Sequence, residues 1–259
     1  MADNIIVKTD QRGVCTISLN RPKVHNAFDP DTIEDLNIQL QFAADDDSVR
    51  VVVLTGEGET FSSGADINWM RSMVKYDHSK NSMDAMNLAK LLNKLYTLPK
   101  PTIALVNGSA FGGALGLIAC CDIAIANQEA NFAFTEVKLG IIPAVVSPYV
   151  VSAIGHRNAK RFFLTAEKFS ANSALQTGLL HKAVKADDLN DALEYELELL
   201  LKAGPSAQHE CKRLIQKLAG ISDDVSEYTA ELIAQIRISE EGQEGLEAFL
   251  EKRKPDWCS

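Results

Sequence analysis

The sequence is poor in cysteine, with Cys15, Cys120, Cys121, Cys211 and Cys258 in 259 residues. The count is odd and no C-x-x-C pair occurs, which argues against a disulfide framework and for the reduced thiols of a cytoplasmic protein. Long hydrophobic runs are missing too. The longest, residues 114–126, is interrupted by Asp122 and is too short to cross a bilayer. The N-terminus, M-A-D-N-I-I-V-K, has no basic stretch followed by an apolar one, so no signal peptide is expected. Positive charge is scarce: 26 Lys and Arg face 35 Asp and Glu, for a net charge of −9. A broadly acidic surface repels phosphate backbones, so neither nucleic acid nor a membrane is expected as a partner. The five histidines have no ligand spacing, and His209-Glu210 is followed at position 213 by Arg213, so no metal site is expected.

What is present is a well-mixed globular composition, 46% hydrophobic and 24% charged, without linkers or repeats. Residues 4–9 and 14–19 alternate as two strands around the turn at Gln11-Arg12-Gly13. Asp29 and Pro30 open a helix over about 30–46, as cap and first residue. Val51 to Leu54 is an unbroken apolar run ending near Gly56, the mark of a strand buried on both faces. Helices follow near 66–75 and 78–97, then a strand at 102–106, a helix near 112–120 and a strand at 123–126. From Pro205 the pattern is helical, with amphipathic stretches at 205–217 and 222–250. This is α/β organisation with a helical C-terminal region.

Some apparent motifs dissolve on inspection. Gly56-Glu57-Gly58 follows a strand, but a dinucleotide fingerprint requires glycine at 61, where Phe61 stands. Ser62, Ser63 and Ser109 lie near glycines, yet none sits in G-x-S-x-G. Two glycine-bearing turns remain, F-S-S-G-A-D-I-N at 61–68 and N-G-S-A-F-G-G-A-L-G at 107–116. Glycine lets a backbone approach a ligand closely, and the first N–H groups of a helix have no partner inside it. Two such turns can aim two donors at one oxygen, or can simply be tight strand-to-helix connections. As an oxyanion hole, each donor contributes about 3–4 kcal/mol to a charged transition state.

The same stretches resemble the signature segments of the crotonase (enoyl-CoA hydratase/isomerase) superfamily. N-R-P-K-V-H-N-A-F (20–28), F-S-S-G-A-D-I (61–67), K-P-T-I-A-L-V-N-G-S-A-F-G-G (100–113), C-D-I-A-I-A (121–126) and F-A-F-T-E-V-K-L-G-I-I-P (132–143) occur in order, and A-x-x-x-G-L (174–179) fits as well. The resemblance runs from about residue 5 to about 250. It implies that the N–H groups of Ala65 and Gly113 bind the thioester oxygen of an acyl-CoA. It implies that Lys23, Val24, Ala27, Ser63, Gly64, Asp66, Ile67 and Gly112 line the substrate path. It places the acid/base on Glu136. No cofactor is implied, coenzyme A being part of the substrate.

The sequence departs from the family pattern at two points. The hydratases' first glutamate falls on Gly116, which leaves one carboxylate for chemistry usually done by two. The glycine-rich stretch after the proline is replaced by A-V-V-S-P-Y-V-V (144–151). There Ser147 or Tyr149 is a candidate water contact, with a helix cap and a core ring as the plainer readings. In these features the chain is similar to bacterial 3-methylglutaconyl-CoA and isohexenylglutaconyl-CoA hydratases of leucine and terpene breakdown. Such substrates carry a second carboxylate, for which Arg71 is a candidate cation or a solvent-facing arginine.

The resemblance implies a crotonase-type spiral of ββα units over 1–200, two roughly perpendicular sheets wrapped by helices. A C-terminal helical region, 201–259, would mediate trimerisation, with trimers pairing into hexamers. The expected activity is hydration of a branched 2-enoyl-CoA. The alternatives are a Δ3-Δ2-enoyl-CoA isomerase working through the single glutamate and a non-catalytic acyl-CoA binder.

Overall fold

The computed structural model describes residues 4–219 and 223–258. Strands β1 (Ile5–Thr9) and β2 (Val14–Leu19) form an antiparallel hairpin, Ile5 opposite Leu19 and Thr9 opposite Cys15. Its turn needs a left-handed residue, supplied by Gly13 at φ 82°. Helix α1 (Pro30–Asp45) begins where Asp29 accepts from the Thr32 amide at 2.9 Å. That cap satisfies one of the amides a helix start leaves free.

Three units then repeat one plan: a long buried strand, a short strand, and helix. The first is β3 (Val51–Gly56), β4 (Thr60–Ser62), α2 (Ile67–Met73) and α3 (His78–Thr97). The second is β5 (Thr102–Val106), β6 (Ser109–Phe111) and α4 (Ala114–Cys120). The third is β7 (Ile123–Asn127), β8 (Asn131–Ala133) and α5 (Ser147–Thr165). The pair β9 (Phe169–Ser170) and α6 (Ala171–Thr177) precedes β10 (Lys182–Val184), and α7 (Leu189–Lys202), α8 (Pro205–Ala219), α9 (Asp223–Arg237) and α10 (Glu240–Leu250) complete the chain.

The long strands form a six-stranded sheet, β1-β2-β3-β5-β7-β10, and the short ones a second sheet, β4-β6-β8-β9. Pairing from β2 through β10 is parallel. Alternate residues of the long strands enter two cores. Val52, Leu54, Ala104, Val106, Ala124 and Ala126 face the main core with α1, α3 and α4. Val51, Val53, Ile103, Leu105 and Ile125 face a smaller core closed by Leu189 and Leu197 of α7. Burial on both faces explains the unbroken apolar runs.

The expected strands and helices are present as read. The short strands of the second sheet escape a periodicity argument, since three residues cannot show a period. The amphipathic stretch expected at 222–250 is two helices from 223 on, residue 222 lying outside the described residues, because Ser239 caps α10 by accepting from the Gly242 amide at 3.1 Å. Helices α9 and α10 pack on this chain's own α3 and α2.

Candidate active site

The two glycine turns, far apart in sequence, abut in space. Gly64 (φ 86°) follows β4, and Gly112 (φ 55°) follows β6; these strands pair in parallel. A Cβ on Gly64 would sit 2.7 Å from the Phe111 carbonyl oxygen and 3.7 Å from the Gly113 nitrogen. Only a residue without a side chain permits that approach. The first turn is tied down on its other flank. Phe28 donates to the Gly64 carbonyl at 2.8 Å, and Asp66 donates back to the Phe28 carbonyl at 2.9 Å. Among the described residues' hydrogen bonds, the Ala65 and Gly113 amides donate none.

Asp66 does two structural tasks in that turn. It caps α2 by accepting from Asn68 N at 2.8 Å, and it takes the Arg21 guanidinium at 2.9 Å. Arg21 also meets Asp29 at 3.0 Å, so one cation joins the N-terminal loop, the start of α1 and the first turn.

Glu136 opens a single 3₁₀ turn after β8, which ends at Gly140 in a left-handed conformation. Its carboxylate lies against the second turn: a Cβ on Gly112 would meet Glu136 Oε1 at 3.3 Å. Oε2 is sealed from solvent and has no hydrogen-bond partner. Burial pushes this carboxyl up to about 7, partly opposed by a bond from its own amide. A buried carboxyl with no cation beside it favours its neutral form.

A cavity of about 700 Å³ joins these pieces. Ala65, Gly113 and Glu136 all line it, as do Val24, Ala27, Ser63, Gly64, Asp66, Ile67 and Gly112. Lys23 is exposed and is absent from the lining. The cations at the wall are Lys138 and Arg253, which the sequence reading did not single out. Arg253 is held by Glu244 at 2.6 and 2.7 Å, while Lys138 Nζ donates to the Ala166 carbonyl at 2.8 Å. Gly245, Phe249 and Pro255 close the same wall from α10 and the segment after it.

A second chamber of about 80 Å³ shares Ala65, Gly113, Glu136 and Ile141 with the first. Trp69, Leu88, Val145, Val146 and Arg237 are among its other walls. Neither residue considered as a water contact lines it. Ser147 donates to the Ala144 carbonyl at 2.7 Å, and Tyr149 is buried with its ring 5.2 Å from that of Tyr96. Helix α5 begins at Ser147 with Val146 as its cap, so Ser147 is not the cap residue. Arg71 lies in solvent with Asn68 at 3.3 Å and is no candidate for an acyl-chain cation.

Two sheets grown from strand–strand–helix units, with two facing glycine turns and a half-buried carboxyl against the second of them, define the crotonase class of fold. The chain belongs to the enoyl-CoA hydratase/isomerase family, whose model matches residues 9–259. An enoyl-CoA hydratase from Shewanella pealeana is 45% identical, with TM-score 0.82 over 98% of this chain and 96% of its own. An enoyl-CoA hydratase from Mycobacterium avium is 32% identical, with TM-score 0.87 over 99% and 100%. The short-chain-enoyl-CoA hydratase of Clostridium acetobutylicum is 31% identical over 97% of this chain and 96% of its own. Acyl-CoA binding is implied by the family. No helix among the described residues is long and apolar enough to cross a membrane.

Proposed function

We propose that this protein hydrates a branched 2-enoyl-CoA with one carboxylate, Glu136, as both base and acid. The observation that carries the reading is the Glu136 carboxyl, which lines the same cavity as two amides without an acceptor, with Oε2 buried and unpaired and its titration pushed up to about 7 by burial. The thioester oxygen takes hydrogen bonds from Ala65 N–H and Gly113 N–H. Ionised Glu136 removes a proton from water as its oxygen bonds to C3. The C2–C3 π pair moves toward C1, and the enolate charge collects on the oxygen the amides hold. Glu136 then returns the proton to C2 on the same face, so water adds without any co-reactant. The apolar walls beside Glu136, Val145 and Val146 among them, suit a substituent on C3.

Gly116 favours a second reading. With no carboxylate there, the same pair of amides and Glu136 can move a proton between C2 and C4 and shift a double bond. Turnover in heavy-oxygen water separates the two, since hydration places label in the product and isomerisation does not. A pure binder has less to recommend it. A buried carboxyl without a partner lowers stability, and binding alone has no use for one. Exposed apolar side chains on α8, Leu214, Ile215 and Leu218, support assembly into trimers or hexamers. The acidic chain and its reduced thiols fit the cytoplasm, and the proposed reaction requires no cofactor or metal.

A further inference from the structure

The second chamber is blind. Ala65, Gly113, Glu136 and Ile141 form its mouth on the main cavity, and its other walls are buried except Ile142, which is half-buried. Two helices close the far side. Helix α3 brings Leu88 to the chamber and carries Asp84 one turn earlier, while α9 brings Ile233 and Arg237, again one turn apart. Trp69 of α2 is the bulkiest wall and is buried. Its indole N–H donates to Asp84 Oδ2 at 3.1 Å. A hydrogen bond to a carboxylate is about twice as strong as one between neutral groups, and a buried indole N–H without an acceptor is costly. The ring is therefore fixed from behind, whereas Leu88, Val145 and Ile233 can trade rotamers. Asp84 is buried too, and the charge that balances it is Arg237. The Nε and Nη1 of Arg237 are sealed and donate no hydrogen bond, so this cation acts on Asp84 through its field and not on a ligand. Burial draws it down to about 10, against the opposing pull of Asp84.

We propose that Trp69 determines how long an acyl chain this protein accepts, and that Asp84 is the positioning residue that holds its ring. The proposal rests on reading the main cavity as an acyl-CoA site, and it deepens that reading by setting a length limit. With the thioester oxygen at Ala65 and Gly113 and the reacting carbons beside Glu136, the chain from C4 onward occupies the chamber. Its volume of about 80 Å³ holds on the order of six water-sized groups. A methylene is close to that size, so chains stop at about nine carbons, any branch included. A longer chain must push the ring off Asp84 or leave its own end in water. The first strands a buried indole N–H and carboxylate together, and the second forfeits the burial that binds the chain.

The test compares two saturated thioesters with no double bond to react, hexanoyl-CoA and dodecanoyl-CoA. Binding is measured by calorimetry on the wild type, Trp69→Ala, Trp69→Phe, Asp84→Ala and Asp84→Asn. In the wild type hexanoyl-CoA binds about 30-fold tighter, as a filled apolar pocket discriminates. That preference falls below about 3-fold in Trp69→Ala and takes an intermediate value in Trp69→Phe, which keeps a ring but loses the N–H. It falls in Asp84→Ala as well, and Asp84→Asn, which still offers the indole an acceptor, restores most of it. General loosening weakens both thioesters together and leaves their ratio unchanged, so the ratio separates a length limit from lost stability. Equal wild-type binding of the two overturns the limit and leaves the acyl-CoA reading standing. Full wild-type preference in Trp69→Phe overturns the assignment to Trp69, and that milder variant carries the test if Trp69→Ala does not fold. If neither thioester binds, the acyl-CoA reading falls and takes the length limit with it.

Discussion

Gly116 and Val146 are packed so tightly that no second carboxylate has room between them. A Cβ on Gly116 would lie 2.4 Å from Val146 Cγ1, 2.9 Å from its Cβ and 3.4 Å from Leu92 Cδ1. The glutamate missing from this position is thus replaced by apolar packing from the residue that caps α5. Gly116→Ala gains helix propensity of about 1 kcal/mol, but it meets overpacking that costs about 1–3 kcal/mol. A net loss of stability is expected in denaturant, and Val146→Ala in the same chain recovers part of it. Additive effects of the two substitutions would mean the side chains do not compete for that space.

Glu136→Gln keeps the shape and removes the proposed base. Turnover falls by about 10²–10⁴-fold. The wild-type kcat/KM rises with pH through an inflection near 7, because only the ionised carboxylate takes a proton from water or from carbon. Flat activity between pH 5.5 and 8 would contradict the role.

The same substitution has the opposite effect on stability. The folded carboxyl titrates near 7 and the unfolded one near 4.5. Stability from the protonated form is therefore complete below 4.5 and is lost as pH rises through 7. The amide that replaces the carboxyl in Glu136→Gln does not ionise, so the variant is more stable than the wild type at pH 8, by about 1–3 kcal/mol. At pH 4 the difference vanishes. Chemical denaturation at the two pH values measures this, and a variant less stable at pH 8 would refute the burial argument.

Much of this site could be read without coordinates. The cap at Asp29, the buried runs of β3 and β5, and the two glycine turns each announce themselves through local chemistry. Resemblance pointed to Glu136, and what local sequence could not supply was its surroundings. Val146 filling the space at Gly116 depends on a contact across thirty positions, and the closure of the cavity by Phe249 and Arg253 on contacts between segments still farther apart in sequence. Arg237 left a trace: a cation at the i+7 position of the stripe Ala230, Ile233, Ala234. That trace becomes legible only when α9 is known to end at Arg237, since one amphipathic stretch to 250 blurs the register. Lys23, a sequence candidate beside a proline, shows the converse. Its neighbour Val24 faces the cavity and Lys23 does not.

Arg21 holds the first turn from the side away from substrate. It bridges Asp66 at 2.9 Å and Asp29 at 3.0 Å, and Asp66 is nearly fully buried. Arg21→Met strands a desolvated carboxylate and costs about 3–5 kcal/mol. Because Asp66 and Ala65 share the turn, kcat also falls, while Arg21→Lys recovers only part of it for want of a second donor in plane. Full kcat in a folded Arg21→Met protein would show that the turn is held by its backbone bonds alone.

Helix α10 sets how dry the Glu136 carboxyl is. A Cβ on Gly245 would lie 2.3 Å from the Leu139 carbonyl oxygen and 2.7 Å from Gly140 N, within the 3₁₀ turn that Glu136 opens. Gly245→Ala must therefore push the helix off that turn or push the turn into the cavity. Either movement lets water reach Glu136, and its titration relaxes from about 7 toward 4.5. The acid limb of the kcat/KM profile shifts down with it, alongside a stability loss of about 1–3 kcal/mol. Gly242→Ala is the control. Its Cβ would strike the Ile236 carbonyl oxygen at 2.2 Å, away from the turn, so it destabilises but leaves the acid limb in place. If both variants shift the limb equally, general loosening is the cause, and α10 has no specific hold on Glu136.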